Sequence, residues 1–222
     1  MTESNYLFIN LETSGLPTMR PGYHENPADE YYPYTDHPKY DGSRIIQLTW
    51  YLGDSHEHAD MGPVLDKVNM YYIKRNGFTI TNTQYHGITN DISDTEGTRL
   101  VTVIKKKGFR DALRKADYLV AHNAPFVINI LLNELERLGS CKGTIKRIQK
   151  MAQKGNIFDT CQLGKPVCQL KWRGPGYKPP KLAQLFKQYH AEQVEIVYNG
   201  DQKVDRLLSI YCLIDVFGRL IH

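Results

Sequence analysis

An amide and a carboxylate stand two residues apart at the end of the first apolar segment. The run YLFI (residues 6–9) predicts a buried strand, and the run SGLP (residues 14–17) predicts its end. Side chains of a strand alternate between its two faces, so Asn10 and Glu12 point to the same side of the sheet. Two carboxylates placed in this way would be half of a divalent metal site. The sequence has an amide at one of the two positions, which calls that site into question.

Length and composition are those of a globular protein with one sizeable core. The chain has 222 residues, of which 41% are hydrophobic and 23% charged. It has no apolar run near the roughly 18 residues of a membrane span and no signal-peptide pattern at its N-terminus. Four cysteines lack the C-x-x-C spacing of a structural zinc site. We therefore expect reduced thiols and a cytoplasmic or virion-associated protein that is neither secreted nor bound to a membrane.

The net charge of +4 is unevenly distributed. Residues 140–187 contain eleven Lys or Arg against one acid, Asp159, a net charge of +10. The rest of the chain has 17 basic and 23 acidic residues and a net charge of −6. This asymmetry is typical of a protein with a polyanionic partner, and it is equally compatible with solvated helix faces.

The first half of the chain predicts a meander interrupted by an insertion. Residues 18–43, rich in Pro, Gly, Tyr and acids, have no periodicity and predict a long loop. Residues 44–54 and the segment around 68–75 predict two more strands, antiparallel beside the first. Residues 108–116 predict a short helix, and residues 117–123 predict a buried strand.

The second half predicts helices that alternate with strands. Helices are predicted over 125–139, 144–155 and 180–190, and a short strand over 156–163. The last helix has an apolar stripe at Val204, Leu207, Leu208, Tyr211, Ile214 and Phe217. The pattern indicates an α/β fold with a mixed sheet, an antiparallel meander plus parallel strands, flanked by helices. Since no repeat or linker is present, we predict one domain over residues 1–222, with an insertion at about 18–43.

Five segments resemble, in order and spacing, the DEDDh 3′–5′ exonucleases of the proofreading-exonuclease superfamily, which have a ribonuclease-H-like fold. The segments are FINLETSGLP, RIIQLTWYL, GFTITNTQYHGIT, ADYLVAHNAPFVINILLNELERLG and GYKPPKL. The resemblance extends from about residue 5 to 217. It is closest to the version with H-G-I-T and G-Y-K-x-P-K-L segments found in bacteria and their phages.

In that family, four carboxylates hold two Mg or Mn ions about 4 Å apart, and a histidine acts as the general base for the attacking water. Matching the family's motifs to this chain places these five groups at Asn10, Glu12, Val127, Tyr198 and Lys203. Only Glu12 is acidic. Asn10 offers a neutral oxygen, Val127 offers none, and a lysine ammonium repels cations. The resemblance therefore implies the fold without its catalysis, with no metal and no cofactor.

The replacements have a structural interpretation. Clustered carboxylates repel each other when no cation is bound, so a chain without catalysis has no reason to keep them. We expect an ion pair between Glu12 and Lys203, with Val127 packed beside it. A shift that brings Asp201 or Asp205 to the last metal position is disfavoured, because residues two apart on a helix face different sides.

A set of polar and aromatic residues is expected to contact nucleic acid. In residues 171–182, aromatic side chains alternate with cations, a combination that suits stacked bases and phosphates. The family has a basic loop at this place partly for structural reasons, so loop architecture is an equal alternative. His86 has a second interpretation as a turn histidine. His56 and His58 predict a loop tip, and residues 105–107 a solvated approach to a helix. The predicted binding set is Thr13, His86, Asn123, Trp172, Arg173, Tyr177, Lys178 and Lys181.

Three functions remain open at this stage. The first is a pseudo-exonuclease that binds single-stranded DNA or RNA through a basic groove. The second is a structural or adaptor subunit of a larger assembly, of the kind found in phages, whose protein partners contact the insertion. The third is an active metal-dependent 3′–5′ exonuclease. The insertion is interpreted either as a protein-interaction surface or, equally, as an ordered loop packed over the degenerate site. Its tyrosines are Tyr23, Tyr31, Tyr32, Tyr34 and Tyr40.

Overall fold

The fold is built on one mixed sheet. The computed structural model describes residues 4–22, 27–54, 67–171, 173, 176–190 and 202–221, with the backbone alone at 54, 202–206 and 208. The strands in these ranges are β1 (Asn5–Thr13), β2 (Ile45–Asp54), β3 (Asn69–Tyr72), β4 (Tyr118–Ala121) and β5 (Ile157–Asp159). Their order is β3-β2-β1-β4-β5. β1, β2 and β3 pair antiparallel, whereas β4 is parallel to both β1 and β5. The predicted α/β fold with a mixed sheet is confirmed.

Helices cover both faces of the sheet. In chain order they are α1 (Thr83–His86), α2 (Asn90–Thr95), α3 (Leu100–Lys106), α4 (Phe109–Lys115), α5 (Ala124–Arg137), α6 (Lys142–Gln153), α7 (Thr160–Leu163), α8 (Lys165–Cys168), α9 (Leu182–Tyr189) and α10 (Gln202–Ile221). Within the described ranges, no helix is long and apolar enough to cross a bilayer.

Alternate side chains of β1 point to opposite faces of the sheet and pack in two different cores. Leu7, Ile9 and Leu11 point to one face and pack in the larger core, which α3 to α6 cover. Phe8 points to the other face and packs against Phe217 and its neighbours on α10. Asn10 and Glu12 share the parity of Phe8, so they belong to the α10 face of the sheet.

Three predicted features differ from the structure. The strand predicted over 156–163 ends at Asp159, because that side chain accepts a hydrogen bond from the Cys161 N–H and begins α7. The single apolar stripe predicted on the last helix was too narrow. Ile210 and Leu213 face the sheet, while Cys212 and Val216 pack toward α9, so α10 is buried on two sides. Residues 105–107 do not merely approach a helix, since α3 extends to Lys106.

The insertion is folded against α5. It contains two short 3-10 turns, Pro27–Glu30 and His37–Tyr40. Tyr31 and Tyr40 are buried, and the Tyr40 hydroxyl donates to the carbonyl of Tyr32. Asn133 of α5 donates to the Tyr34 carbonyl. Of the insertion's tyrosines, Tyr23 lies outside the described residues.

A glycine sets a close backbone approach beyond β3. Ile73 forms a parallel bridge with Thr98, and the Lys74 N–H donates to the Thr98 carbonyl at 3.0 Å. A Cβ on Gly97 would lie 2.0 Å from the Ser93 carbonyl oxygen and 2.7 Å from the Lys74 backbone. Only glycine fits between these two backbone segments.

We expect Gly97→Ala to lower the free energy of unfolding by at least about 1–3 kcal/mol, because the methyl group meets backbone atoms that must move apart. Gly143→Ala is the matched control, since nothing lies within 4 Å of a Cβ there and Ala is the better helix former. Urea unfolding of both variants checks this. Equal stability of the two alanine variants would contradict the close approach at Gly97.

Candidate functional site

The candidate site lies at one edge of the sheet, which we call the carboxyl edge. β1, β4 and β5 run parallel to one another and end there, and β2 begins there because Thr13 pairs with Ile45. Phe8 pairs with Val120, so Asn10 is level with His122, the first residue after β4. The edge thus brings together the first, second and fourth of the segments on which the resemblance rests.

Asn10 and Glu12 belong to a polar group in the sheet. Asn10 pairs across the strands with Thr49, and Glu12 pairs with Gln47, so the four side chains share one face. Gln47 and Thr49 are buried, and the Gln47 amide donates to the Thr49 hydroxyl at 2.9 Å. Among the described residues, the side-chain Oε1 of Gln47 is buried and has no hydrogen-bond partner. This group offers neutral donors and acceptors around one carboxylate.

Val127 occupies the first turn of α5. Its side chain is 3% exposed and packs in the larger core with Ile9 and Leu11. Tyr198 and the Lys203 side chain, and with them the expected Glu12–Lys203 ion pair, lie outside the described residues. The described positions assigned to metal ligands thus supply one carboxylate, one amide and one alkyl group, a set that does not fit two divalent cations. Within the ranges that the structure covers, no three His, Cys, Asp or Glu residues come together as a metal site.

His122 connects the carboxyl edge to the basic loop, by which we mean residues 171–181. Its Nε2 bonds the Pro180 carbonyl and its Nδ1 bonds the Thr160 hydroxyl, both at 3.0 Å. A neutral ring with its proton on Nε2 satisfies both, because the hydroxyl can then donate to Nδ1. Burial lowers the pKa of His122 to about 4. The ring is therefore a neutral link between β4, α7 and the basic loop.

Asp159 is the organising residue that sequence reasoning missed. Its Oδ1 accepts from the N–H groups of Asn123 and Cys161, both at 2.9 Å, so one carboxylate joins the starts of α5 and α7. Burial raises the pKa of Asp159, and the backbone N–H groups lower it. The only signal in the sequence was an acid directly before a short helix, a typical N-cap.

Asn123 has a backbone role and a side-chain partner. Its φ of 59° is in the left-handed region, which Asn tolerates better than most residues, and the chain turns there from β4 into α5. Its amide hydrogen-bonds the phenol of Tyr31, whose pKa burial raises to about 12. The insertion therefore reaches the carboxyl edge through Tyr31. Contact of Asn123 with nucleic acid stays a prediction.

Thr13 and His86 are connected through Asn82. The Asn82 amide donates to the Thr13 carbonyl, and its oxygen bonds Nε2 of His86, both at 3.0 Å. The Thr13 side chain is buried and its hydroxyl donates to the Gly15 carbonyl. Nδ1 of His86 accepts from the Ile88 N–H, as the turn-histidine interpretation expects. His56 and His58 lie outside the described residues.

The basic loop presents the cations of the predicted set. Arg173, Lys178 and Lys181 are exposed, and Tyr177 is 44% exposed. The Lys178 N–H donates to the Leu170 carbonyl, and the Lys181 N–H to the Gln184 side chain at the start of α9. Trp172 lies outside the described residues. The loop backbone is thus held at both ends while its charged side chains face solvent.

The comparisons with known proteins identify the fold. The sequence matches no family model, and no curated protein matches it in sequence. Exonuclease I in its apo form superposes with a TM-score of 0.61 at 16% identity, over 99% of this chain and 42% of that chain. The E. coli exonuclease I–ssDNA complex superposes with a TM-score of 0.57 at 14% identity, over 98% of this chain and 41% of that chain. The Mg²⁺- and Mn²⁺-bound form of S. pombe Pop2p superposes with a TM-score of 0.61 at 10% identity, over 96% of this chain and 81% of that chain.

These likenesses show a ribonuclease-H-like exonuclease fold and, at such identities, the fold alone. This chain spans about two fifths of the exonuclease I chains that it matches.

The neutral His122 predicts a pH dependence of stability. Its folded pKa of about 4 is below its ordinary value of 6.5, so the unfolded chain binds the proton first. The free energy of unfolding should therefore fall as the pH decreases from about 6.5 to about 4, by at most about 1.4 kcal/mol per pH unit from this group. His122→Gln, whose amide can still donate to Pro180, should lose this component. Urea unfolding of both proteins at pH 7 and pH 5 measures it, and an unchanged pH dependence in the variant would contradict it.

Proposed function

We propose that this protein is a pseudo-exonuclease that binds single-stranded nucleic acid at the carboxyl edge without cleaving it. The observation that carries the proposal is Val127, an alkyl side chain buried in the core at a position where the exonuclease resemblance implies a metal-binding carboxylate. A carboxylate from a neighbouring residue cannot take the place of the missing one at this position, because the Val127 side chain is enclosed by the larger core.

The chemistry at this edge supports binding rather than hydrolysis. Two-metal hydrolysis needs several carboxylates together to hold the cations that activate water. Here Glu12 is accompanied by amides and a hydroxyl, and one oxygen of the Asp159 carboxylate accepts two backbone N–H groups. The amides and the hydroxyl hydrogen-bond sugars and bases, and one or two carboxylates without cations do not supply the charge that two-metal hydrolysis needs.

The basic loop supports nucleic acid as the ligand. Residues 160–190 contain no Asp or Glu, so the exposed cations of the loop have no acidic neighbour within that segment. Tyr177, which precedes Lys178 in the chain and is 44% exposed, offers a ring for base stacking. The neutral His122 ring ties this loop to the end of β4, where the fold's substrate groove is expected.

The adaptor alternative has less support from the described residues. Tyr31 and Tyr40 are buried against the protein, and Tyr34 is bonded to α5 and α6, so these rings are committed within the fold. Their arrangement favours the ordered loop over the site. Protein partners at other surfaces are an outcome that the binding experiment distinguishes.

The pseudo-exonuclease proposal predicts indifference to divalent cations. The melting temperature should not rise when Mg²⁺ or Mn²⁺ is added, since a site with one carboxylate gains little from binding a cation. A labelled oligonucleotide should stay intact in the presence of Mn²⁺. Release of nucleotides by the wild-type protein, abolished by Glu12→Ala, would overturn the proposal.

The basic loop predicts salt-dependent binding to single strands. If three loop cations contact phosphates, the plot of log affinity against log salt should have a slope of about −2. Lys178→Glu with Lys181→Glu should lower affinity for a labelled single strand about tenfold or more, because two attractions become repulsions. Fluorescence polarisation at several salt concentrations measures both quantities.

A matched control distinguishes the effect of the loop lysines on affinity from the effect of the overall net charge. Lys146→Glu with Lys150→Glu changes the net charge equally, and both lysines are exposed on α6 within the same basic segment. This variant should retain most of the affinity. Equal losses in the two double variants would assign binding to net charge alone, and no binding at low salt would leave the adaptor role.

A further inference from the structure

A second basic feature lies at the same edge of the sheet, outside the basic loop. It is a cleft of about 420 Å³ where β2 begins and β3 ends. Its charged lining consists of Arg44, Lys74, Arg75, Arg99, Arg137 and Glu134. Ile45, Ile73 and Leu100 form an apolar floor, and all three are buried. We call this the β2–β3 cleft.

Three of the five cations already have acidic partners. Both carboxylate oxygens of Glu134 bond the Arg44 guanidinium, and side-chain exposures of 15% and 7% show that this pair is enclosed. Arg75 bonds Asp94 at 2.6 Å and also the Phe78 carbonyl.

Arg137 bonds Asp41 at 2.7 Å and the His37 carbonyl. Together with the pairs at Arg44 and Arg75, this bond makes the walls of the cleft stiff and nearly neutral.

The other two cations stand at the mouth of the cleft. Lys74 and Arg99 are both exposed, and within the described ranges neither side chain makes an ion pair or hydrogen bond, although Lys74 acts on Asp94 at longer range. Their backbones are fixed opposite each other by the bridge between Ile73 and Thr98 and by the close approach at Gly97. Two exposed cations thus line the same cleft from backbone segments that are fixed against each other.

The charge and size of the cleft define its ligand. With Glu134, Asp41 and Asp94 each neutralising one arginine, a charge of +2 remains at Lys74 and Arg99. A phosphate monoester carries about −1.5 to −2 at pH 7 and accepts hydrogen bonds on three oxygens. The volume is within the roughly 300–1,000 Å³ of small-molecule sites, which leaves room for more than phosphate over the apolar floor.

We propose that the β2–β3 cleft binds a nucleotide through its terminal phosphate monoester. Lys74 and Arg99 bind the phosphate, and the floor of Ile45, Ile73 and Leu100 supports the nucleoside. The ligand is either a free nucleotide or the phosphorylated end of a strand. The site does not depend on the basic loop, so it can be correct or wrong independently of the function proposed above.

Isothermal titration with thymidine 5′-monophosphate, thymidine and inorganic phosphate tests the chemistry. The nucleotide should bind at least tenfold more tightly than either of its parts. Arg99→Glu should weaken nucleotide binding at least tenfold, whereas Lys115→Glu, an equal charge change on an exposed residue of α4 outside the cleft, should retain it. Absence of nucleotide binding, or equal binding by Arg99→Glu, would overturn the proposal. Thermal melting confirms that both variants fold.

A second pair of ligands distinguishes the two sources of the phosphate. A single strand with a 5′-phosphate is compared with the same strand ending in a 5′-hydroxyl. A preference for the phosphate that Arg99→Glu removes supports a strand end as the ligand, and tight binding of the mononucleotide alone supports a free nucleotide. The Lys178→Glu/Lys181→Glu variant should keep its nucleotide affinity. Loss of nucleotide affinity in that variant would count against a separate cleft.

Discussion

One half-buried carboxylate organises the carboxyl edge. Asp159 ends β5 and accepts backbone N–H groups from the residue before α5 and from the first turn of α7. Next to it, His122 bonds α7 through Thr160 and the basic loop through Pro180. Two side chains on neighbouring parallel strands therefore hold two helix starts and one loop in place. This arrangement is made of hydrogen bonds within the chain, so it does not depend on a bound cation.

That independence explains how the scaffold tolerates the residues found at Asn10 and Val127. In a two-metal site, ions neutralise the repulsion among clustered carboxylates. Here the first strand has an amide that faces Thr49, and the helix has an alkyl group buried in the same core as Ile9 and Leu11. Neither position leaves a buried charge to be compensated. His122 and Asn123, which the resemblance places beside the site, have structural partners of their own at this edge.

The sequence predicted the sheet well and the contacts at its edge poorly. Apolar strands and the order of meander and parallel strands follow from local periodicity, which is why the mixed sheet was predicted. Asp159 was counted only as the one acid of a basic segment, because its role depends on two backbone segments that meet in space. Tyr31 in the insertion has no periodic pattern, and its contact with Asn123 spans 92 positions of chain. The backbone segments that present Lys74 and Arg99 to the cleft come together only because Gly97 permits a close approach.

The proposed loss of catalysis and the proposed gain of binding require the same substitutions. A phosphate that approaches four carboxylates without metals is repelled by all of them, since like charges a few Å apart interact strongly even at high effective dielectric. Replacing three carboxylates, one of them by a lysine, removes that repulsion without a cation. The exposed cations of the basic loop and of the β2–β3 cleft then lie on either side of an edge with little negative charge. Under the proposed function, a metal-free edge of this kind would attract an anionic strand, whereas the four carboxylates that the resemblance implies would attract one only when loaded with metal.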